Sequence, residues 1–144
     1  MAICLPIRLL HHYLGLYLVA RGMIAKGRGK IINIASIMSF FGGVTIPAYA
    51  ASKGGVAQLT KAFSNDWAGK GICVNAIAPG YFDTRLNTGL ISDERRSAEV
   101  LLRTPMKRWG VPADIKGVGV FLASPASDFV SGAVIPVDGG YTAR

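Results

Sequence analysis

The chain has 144 residues, of which 51% are hydrophobic and 17% are charged, so it can form one domain with a core and is not a disordered chain. Its formal charge is +8, but the basic residues are scattered and not interleaved with aromatic residues, so we expect a solvated basic surface and no nucleic-acid partner. The two cysteines and two histidines lack the spacing of a metal site or a disulfide framework, which predicts no bound metal and a reducing, cytoplasmic location.

The amino-terminal stretch from Met1 to Ala25 is apolar but is interrupted by proline, arginine and histidine residues. These interruptions argue against a membrane-spanning helix and against a signal peptide. The stretch predicts instead a buried, interface-forming helix, regular over 14–25 and ending near Gly27. Residues 30–36 are apolar and rich in β-branched side chains, which predicts a parallel strand that is buried on both faces.

Loops, helices and strands then alternate along the rest of the chain. Residues 37–47 contain glycines and a proline and predict a loop. Residues 48–69 show helical spacing, with Val56, Leu59, Ala62 and Phe63 on the apolar side. The later elements are predicted as a strand over 72–78, a helix over 92–102 that Ser92 caps, a helix over 112–123 and a strand over 133–137.

This order of elements predicts an α/β fold, a partial Rossmann-like, doubly wound parallel sheet that forms one domain over 1–144. A dinucleotide fold begins with a strand, a Gly-rich turn and a helix whose amino terminus binds the pyrophosphate. No strand predicted here is followed by such a unit. We therefore expect a truncated chain with three strands kept, the amino-terminal dinucleotide-binding half missing, and the outer edge of the first strand exposed.

Tyr49 and Lys53 are four residues apart at the start of the long helix, so their side chains share one face. A phenol has a reference pKa of about 10, and a neighbouring ammonium favours the phenolate. Such a pair can exchange a proton with an alcohol oxygen while hydride leaves or reaches the carbon. Ser36 ends the preceding strand and can hydrogen-bond the same oxygen. A packed tyrosine beside a surface lysine is the alternative interpretation of the spacing.

Four segments resemble the short-chain dehydrogenase/reductase family in their order and spacing. They are Ile31-Ile-Asn-Ile-Ala-Ser36, Tyr49-Ala-Ala-Ser-Lys53, Val74-Asn-Ala-Ile-Ala-Pro-Gly80 and Val137-Asp-Gly-Gly140. The resemblance implies that Ser36, Tyr49 and Lys53 are catalytic, that the cofactor is NAD or NADP, and that Lys53 also binds the nicotinamide ribose. The family's further catalytic residue, an asparagine on the preceding helix, has no clear equivalent in this sequence, and its slot lies near Ile7 to His12.

The turn that follows residue 78 resembles the nicotinamide-contacting segment of the family. The resemblance implies that Pro79, Gly80, Phe82 and Thr84 bind the cofactor together with Tyr49 and Lys53, with the Phe82 backbone and the Thr84 hydroxyl at the carboxamide. The alternative is a turn that ends the strand, with Thr84 as a helix cap. Both interpretations can hold together.

The segments Ser39–Tyr49 and Lys107–Gly110 resemble the members of the family that act on sugar acids. This resemblance implies an oxidoreductase that acts on a CH–OH group of 2-deoxygluconate, gluconate or another small hydroxy or keto compound. Guanidinium groups suit carboxylates, so Arg85, Arg103 or Arg108 is a candidate partner of the substrate carboxylate.

The resemblance also implies a homo-oligomer, a dimer or a tetramer, in which the helix before Ser36 and the helix that carries Tyr49 pair across the interface, and no membrane partner. A second function therefore stays open: a non-catalytic fragment that acts as a dimerisation module. Activity with a nicotinamide cofactor would distinguish the enzyme from the module.

Overall fold

The computed structural model describes residues 4–143, with side chains described from residue 11 onward. Helices and strands alternate within these residues in the predicted order, with one additional short helix. They are α1 Cys4–Ala25, β1 Gly29–Ile34, α2 Pro47–Trp67, β2 Ile72–Pro79, α3 Thr88–Ile91, α4 Glu94–Arg103, α5 Ala113–Ala123 and β3 Val134–Val137. Short 3₁₀ turns join several of them.

The three strands form one parallel sheet in the order β1-β2-β3. Ile34 at the end of β1 lies opposite Ile77, and Pro79 at the end of β2 lies opposite Val137. The carboxyl ends of all three strands therefore meet at one edge of the sheet, where ligands bind in folds of this type. The sheet confirms the predicted α/β, partial Rossmann-like fold.

Helices cover both faces of the sheet. On one face, the Asn33 Nδ2 donates a hydrogen bond to the Thr60 Oγ1 of α2 at 2.9 Å. On the other face, the Lys30 Nζ donates to the Ser127 Oγ, which follows α5, at 3.2 Å. Because successive side chains of a strand point to opposite faces, α2 and the α5 segment lie on opposite sides. The sheet is doubly wound, as predicted.

The main core cluster lies between the sheet and the helix pair α1 and α2. Ala20 of α1, Phe63 and Trp67 of α2, and Ile72 and Val74 of β2 are almost completely buried in it. The Phe63 and Trp67 rings stack with their centroids 4.1 Å apart. Aromatic pairs of this kind contribute beyond the area that they bury.

Three local predictions are wrong. Ala62 is exposed, because the buried stripe of α2 runs through Val56 and Phe63 at a helical period that leaves residue 62 outside. Ile34 is 51% exposed, because β1 is an edge strand and its far end is not covered on both faces. Asp93, not Ser92, caps α4, and its carboxylate accepts a hydrogen bond from the Arg96 backbone N at 3.0 Å.

Helix α1 is present but is less buried than the sequence predicts. Among its described side chains, Ala20 is buried, whereas Tyr17 and Leu18 are exposed by 49% and 66%. Residues 1–3 of the predicted amino-terminal stretch lie outside the described residues. Within the described part of the chain, no helix combines the length and apolarity that crossing a membrane requires.

Replacing Phe63 with alanine should lower the free energy of unfolding by about 3–5 kcal/mol, because the change leaves a cavity beside the Trp67 ring. Urea unfolding followed by circular dichroism measures the loss. Phe129→Ala removes the same atoms from a fully exposed site and should change the free energy by less than about 0.5 kcal/mol. Equal losses in the two variants would contradict this position of the core.

Candidate active site

The side chains of Tyr49 and Lys53 project from the first two turns of α2. Pro47 opens this helix, at a position where the fixed φ of proline and its missing N–H are tolerated. The Lys53 Nζ lies 5.8 Å from the centroid of the Tyr49 ring. Tyr49 is 42% exposed, so its ring stands at a surface that a ligand can reach.

The Lys53 ammonium is fixed by the end of β1. Its Nζ donates a hydrogen bond to the Ile34 carbonyl oxygen at 2.8 Å. The Ala35 N donates a hydrogen bond to the Ile77 carbonyl oxygen of β2. Backbone groups of successive strand residues point to opposite sides. The Ile34 carbonyl therefore points away from β2, toward the free edge of the sheet. Partial burial disfavours the charged amine and lowers the pKa of Lys53 from its ordinary value.

Ser36 lies just beyond β1 and is buried, with 6% of its surface exposed. Its Oγ accepts a hydrogen bond from the Met38 N at 3.2 Å, and its backbone N donates to the Ser39 Oγ at 3.4 Å. The Ser39 hydroxyl donates in turn to the Lys53 carbonyl oxygen at 2.7 Å. This chain of hydrogen bonds joins the residue after β1 to the first turns of α2.

One cavity of about 1630 Å³ brings the predicted site residues together at the carboxyl edge of the sheet. The predicted catalytic and cofactor-binding residues all line it: Ser36, Tyr49, Lys53, Pro79, Gly80, Phe82 and Thr84. Among the described residues, no hydrogen bond links the three predicted catalytic side chains to one another. Catalytic hydrogen bonds often tighten only when substrate is bound, so this spacing is compatible with a shared substrate oxygen.

The turn after β2 is held close to the end of β3. The Gly80 N donates to the Val137 carbonyl oxygen at 2.9 Å, and a Cβ added at Gly80 would lie 2.7 Å from the Asp138 Cβ. Only glycine fits this close approach. Phe82 is buried, and its carbonyl oxygen accepts a hydrogen bond from the Asn87 Nδ2 at 2.8 Å. The turn is therefore fixed against two neighbouring segments.

Thr84 occupies the position that precedes the 3₁₀ turn Arg85–Asn87, which is the place of a helix cap. Its side chain makes no capping hydrogen bond there. Thr84 therefore occupies the position of a helix cap without making the hydrogen bond of one. It also lines the cavity.

His12 on α1 also lines this cavity. Its Nε2 is buried and has no hydrogen-bond partner among the described residues. Buried nitrogens of this kind are usually hydrogen-bonded. His12 belongs to the slot in which the sequence has no clear equivalent of the further catalytic asparagine, and the side chains of that slot before residue 11 lie outside the description.

Sequence reasoning did not identify an aromatic and basic wall of the cavity, although Arg103 was one of its three candidate partners of a substrate carboxylate. We define this wall by Phe41, Tyr81, Arg96, Arg103 and Tyr141, which all line the cavity. The Tyr81 and Tyr141 rings lie with centroids 5.1 Å apart, and burial raises the pKa of Tyr81 to about 12. The seven-residue spacing of the two arginines on one helix was the available signal.

Arg108 is occupied by an ion pair. Its Nη1 and Nη2 donate to the two Asp114 carboxylate oxygens at 2.7 and 2.9 Å. These hydrogen bonds lower the pKa of Asp114 to about 2. Arg108 lines a separate cavity of about 370 Å³ and is not among the residues that line the cavity of Tyr49.

Comparisons with known proteins agree with this geometry. A family model described as enoyl-(acyl carrier protein) reductase matches residues 9–142. The chain is 54% identical to the 2-dehydro-3-deoxy-D-gluconate 5-dehydrogenase of Pseudoalteromonas atlantica over 126 residues, which cover 88% of the chain and 50% of that protein. It is 56% identical over 126 residues to the protein of the same name from Escherichia coli K12, covering 87% of the chain and 50% of that protein.

One solved structure is similar to the chain both in fold and in sequence. It is a gluconate 5-dehydrogenase from Burkholderia cenocepacia in complex with NADP and tartrate, 50% identical, with a TM-score of 0.88 over 90% of this chain and 51% of that one. The chain therefore spans about half the length of the relatives that it matches.

The lowered pKa of Lys53 should be visible in an NMR titration of its side chain, with a midpoint below 10.5. Lys53→Met assigns the resonance by removing it. In the window between the lowered pKa and the ordinary value, the unfolded chain binds more protons, so the contribution of this group to stability should rise as the pH increases. A midpoint at or above 10.5 would contradict the burial of the amine.

Proposed function

The chain belongs to the short-chain dehydrogenase/reductase family, and on that premise we propose that it is the substrate-side part of an NAD(P)-dependent oxidoreductase that acts on a CH–OH group of a sugar acid. One observation carries the proposal: Tyr49 and Lys53 stand side by side on α2 at a cavity that Ser36 also lines. The names of the relatives, which are 2-dehydro-3-deoxy-D-gluconate and gluconate 5-dehydrogenases, support a sugar acid such as gluconate or 2-deoxygluconate.

In the proposed reaction Tyr49 exchanges a proton with the reacting oxygen of the substrate. The Lys53 Nζ lies 5.8 Å from the centroid of the Tyr49 ring, so both side chains can contact one bound substrate or cofactor. Ser36 donates a hydrogen bond to the same substrate oxygen and orients it. Positioned acid–base groups of this kind contribute about 100-fold to 10,000-fold to a rate.

The residues of the cavity fit one end of a nicotinamide dinucleotide. Lys53 and the turn from Pro79 to Thr84 offer an ammonium, backbone groups and a hydroxyl at the carboxyl edge of the sheet. A nicotinamide ring bound beside Tyr49 would supply the hydride acceptor. Within residues 4–143, β1 leads to α2 through the long loop 35–46, which contains the 3₁₀ turn Ile37–Ser39, and no strand leads through a tight Gly-rich turn directly into an α-helix. The described residues therefore do not provide the pyrophosphate cradle.

This incomplete fit predicts weak cofactor binding by the 144-residue chain. Isothermal titration calorimetry with NAD and with NADP should give dissociation constants well above 1 μM, which corresponds to less than about 8.2 kcal/mol of binding free energy. A micromolar or tighter constant for either dinucleotide would contradict the prediction, because it would require a pyrophosphate site that the described residues do not form.

A second candidate function is the dimerisation module, and the exposed side of α1 favours it. Leu14, Tyr17, Leu18 and Val19 are each about half exposed or more, although α1 packs through Ala20 on the core. An exposed apolar strip of this kind marks an interaction surface. The family resemblance assigns this helix to a subunit interface, and we propose that it forms a homo-oligomer here.

Tyr49→Phe should separate the two functions. We expect oxidation of gluconate or 2-deoxygluconate, followed by NADPH or NADH absorbance at high cofactor concentration, to fall at least about 100-fold, because the acid–base group is removed. Tyr17→Phe makes the same chemical change on the exposed side of α1 and should retain the wild-type rate. A wild-type chain without any turnover favours the dimerisation module, and equal rates in Tyr49→Phe and wild type would contradict the role of Tyr49.

Leu18→Glu should disrupt the proposed homo-oligomer, because it places a charge in the exposed apolar strip of α1. Sedimentation velocity should show a smaller species than the wild type forms. Val120→Glu places the same charge on another exposed apolar site and serves as the control. If the wild-type chain sediments as a monomer at all concentrations, the homo-oligomer is excluded for this chain.

A further inference from the structure

We propose that Arg103 on α4 is the carboxylate subsite of the cavity and gives the protein its preference for sugar acids over neutral sugars. The inference rests on the proposed function, since it assigns the group that would select the substrate class. Three arginines are candidates from the sequence, and their positions in the structure distinguish them.

Two of the three candidates are excluded by their positions. Arg108 already makes a bidentate ion pair with Asp114 and lines a smaller, adjoining cavity but not the cavity of Tyr49. Arg85 is not one of the residues that line the cavity of Tyr49. Arg103 does line that cavity, and in the described part of the chain it makes no ion pair with a carboxylate.

Two aromatic rings fix the guanidinium of Arg103. Its Cζ lies 4.4 Å from the centroid of the Tyr141 ring and 5.1 Å from that of the Phe41 ring. A guanidinium that lies against aromatic rings is attracted to them and keeps N–H groups for hydrogen bonds. Restricting the side chain before binding also reduces the entropy that a ligand must remove. These contacts therefore prepare Arg103 to bind an anion.

The surroundings of Arg103 add positive charge on the same face of α4. Arg96 lies two turns earlier on the helix and lines the cavity too. Glu99 lies between the two arginines on α4 and also lines the cavity, and its carboxylate lies 3.6 Å from the Arg95 Nη1. Helix α4 therefore lines the cavity with two arginines and with one carboxylate, which is paired with Arg95.

A relative supports the ligand chemistry. The Burkholderia cenocepacia gluconate 5-dehydrogenase, which is 50% identical to this chain, was solved in complex with NADP and tartrate. Tartrate is a hydroxylated dicarboxylate, and gluconate is a hydroxylated monocarboxylate. A carboxylate with neighbouring hydroxyl groups is thus the ligand class that we assign to the Arg103 subsite.

The test compares D-gluconate with D-gluconamide, which keeps every hydroxyl and replaces the carboxylate by a neutral amide. NMR titrations of the 144-residue chain, observed at the arginine Nε–Hε resonances, measure both affinities without any turnover. Charge-assisted hydrogen bonds contribute enough to predict that gluconate binds about tenfold or more tightly than gluconamide. The Arg103 Nε–Hε resonance should shift with gluconate and not with gluconamide.

Three substitutions provide the matched comparison. Arg103→Gln should bring the two affinities close to equality, whereas Arg103→Lys, which keeps the charge but loses the fork geometry, should retain part of the preference. Lys116→Gln removes one positive charge from an exposed site on α5 outside the cavity and should retain the full preference. Near-UV circular dichroism verifies that each variant is folded.

Equal binding of gluconate and gluconamide by the wild type, including no measurable binding of either, would overturn the inference. So would an equal loss of preference in Lys116→Gln, because it would indicate a general charge effect. Inorganic phosphate serves as a further probe: if phosphate shifts the Arg103 resonance at lower concentration than gluconate, the site is a phosphate site and the carboxylate assignment is wrong.

The outcomes also separate this inference from the proposed function. If the preference for gluconate depends on Arg103 but the chain never oxidises gluconate with NAD or NADP, the carboxylate subsite is supported and the proposed oxidoreductase activity is refuted. If oxidation depends on Tyr49 but does not distinguish charged from neutral polyhydroxy substrates, the proposed oxidoreductase activity is supported and the carboxylate subsite is refuted.

Discussion

The hydrogen bond from the Lys53 Nζ to the Ile34 carbonyl oxygen, 2.8 Å long, is the contact on which the candidate site depends. It joins the start of α2 to the end of β1, and the Ser39 hydroxyl strengthens the same junction through the Lys53 carbonyl oxygen. Tyr49 stands one turn before Lys53 and Ser36 stands two residues after Ile34. This junction therefore sets the distance between Tyr49, the proposed proton-transfer group, and the Ser36 hydroxyl, which is proposed to orient the substrate.

The register of the sheet places the rest of the site at the same edge. Pro79 lies opposite Val137, and Gly80 approaches Asp138 so closely that a side chain would not fit. This approach turns the chain after β2 back over the strand ends, where Phe82 is buried. The described half-fold thus positions the residues that are proposed to bind the substrate and the nicotinamide, and the chain spans about half the length of its relatives.

Local patterns in the sequence were sufficient for the strands and for α2, and the resemblance to a known family indicated the cavity-lining residues of the turn after β2. Periodicity predicted β1 to β3 within about two residues, a usual error at element ends, and the four-residue spacing of Tyr49 and Lys53 indicated a shared face. Helix α3 has only four residues and is too short to show a period. The exposure of Ile34 depends on strand order, which local composition does not encode.

The aromatic and basic wall around Arg103 could not be predicted from the sequence for a different reason. Its stacking partners, Phe41 and Tyr141, are distant in the sequence and meet only through the tertiary fold. The sequence left three arginines open, and only the ion pair of Arg108 with Asp114 and the lining of the cavity distinguish them. Spacing indicates which residues share a helix face, but contacts decide what that face meets.

A crystal structure of the chain grown with D-gluconate and NADP would test the central claim most directly. The account predicts that one hydroxyl oxygen of gluconate lies within about 3.2 Å of both the Tyr49 Oη and the Ser36 Oγ, which is hydrogen-bond reach for proton transfer. The account is contradicted if the Tyr49 Oη points away from Ser36 and from the cavity, or if gluconate binds in a place that these two oxygens do not reach.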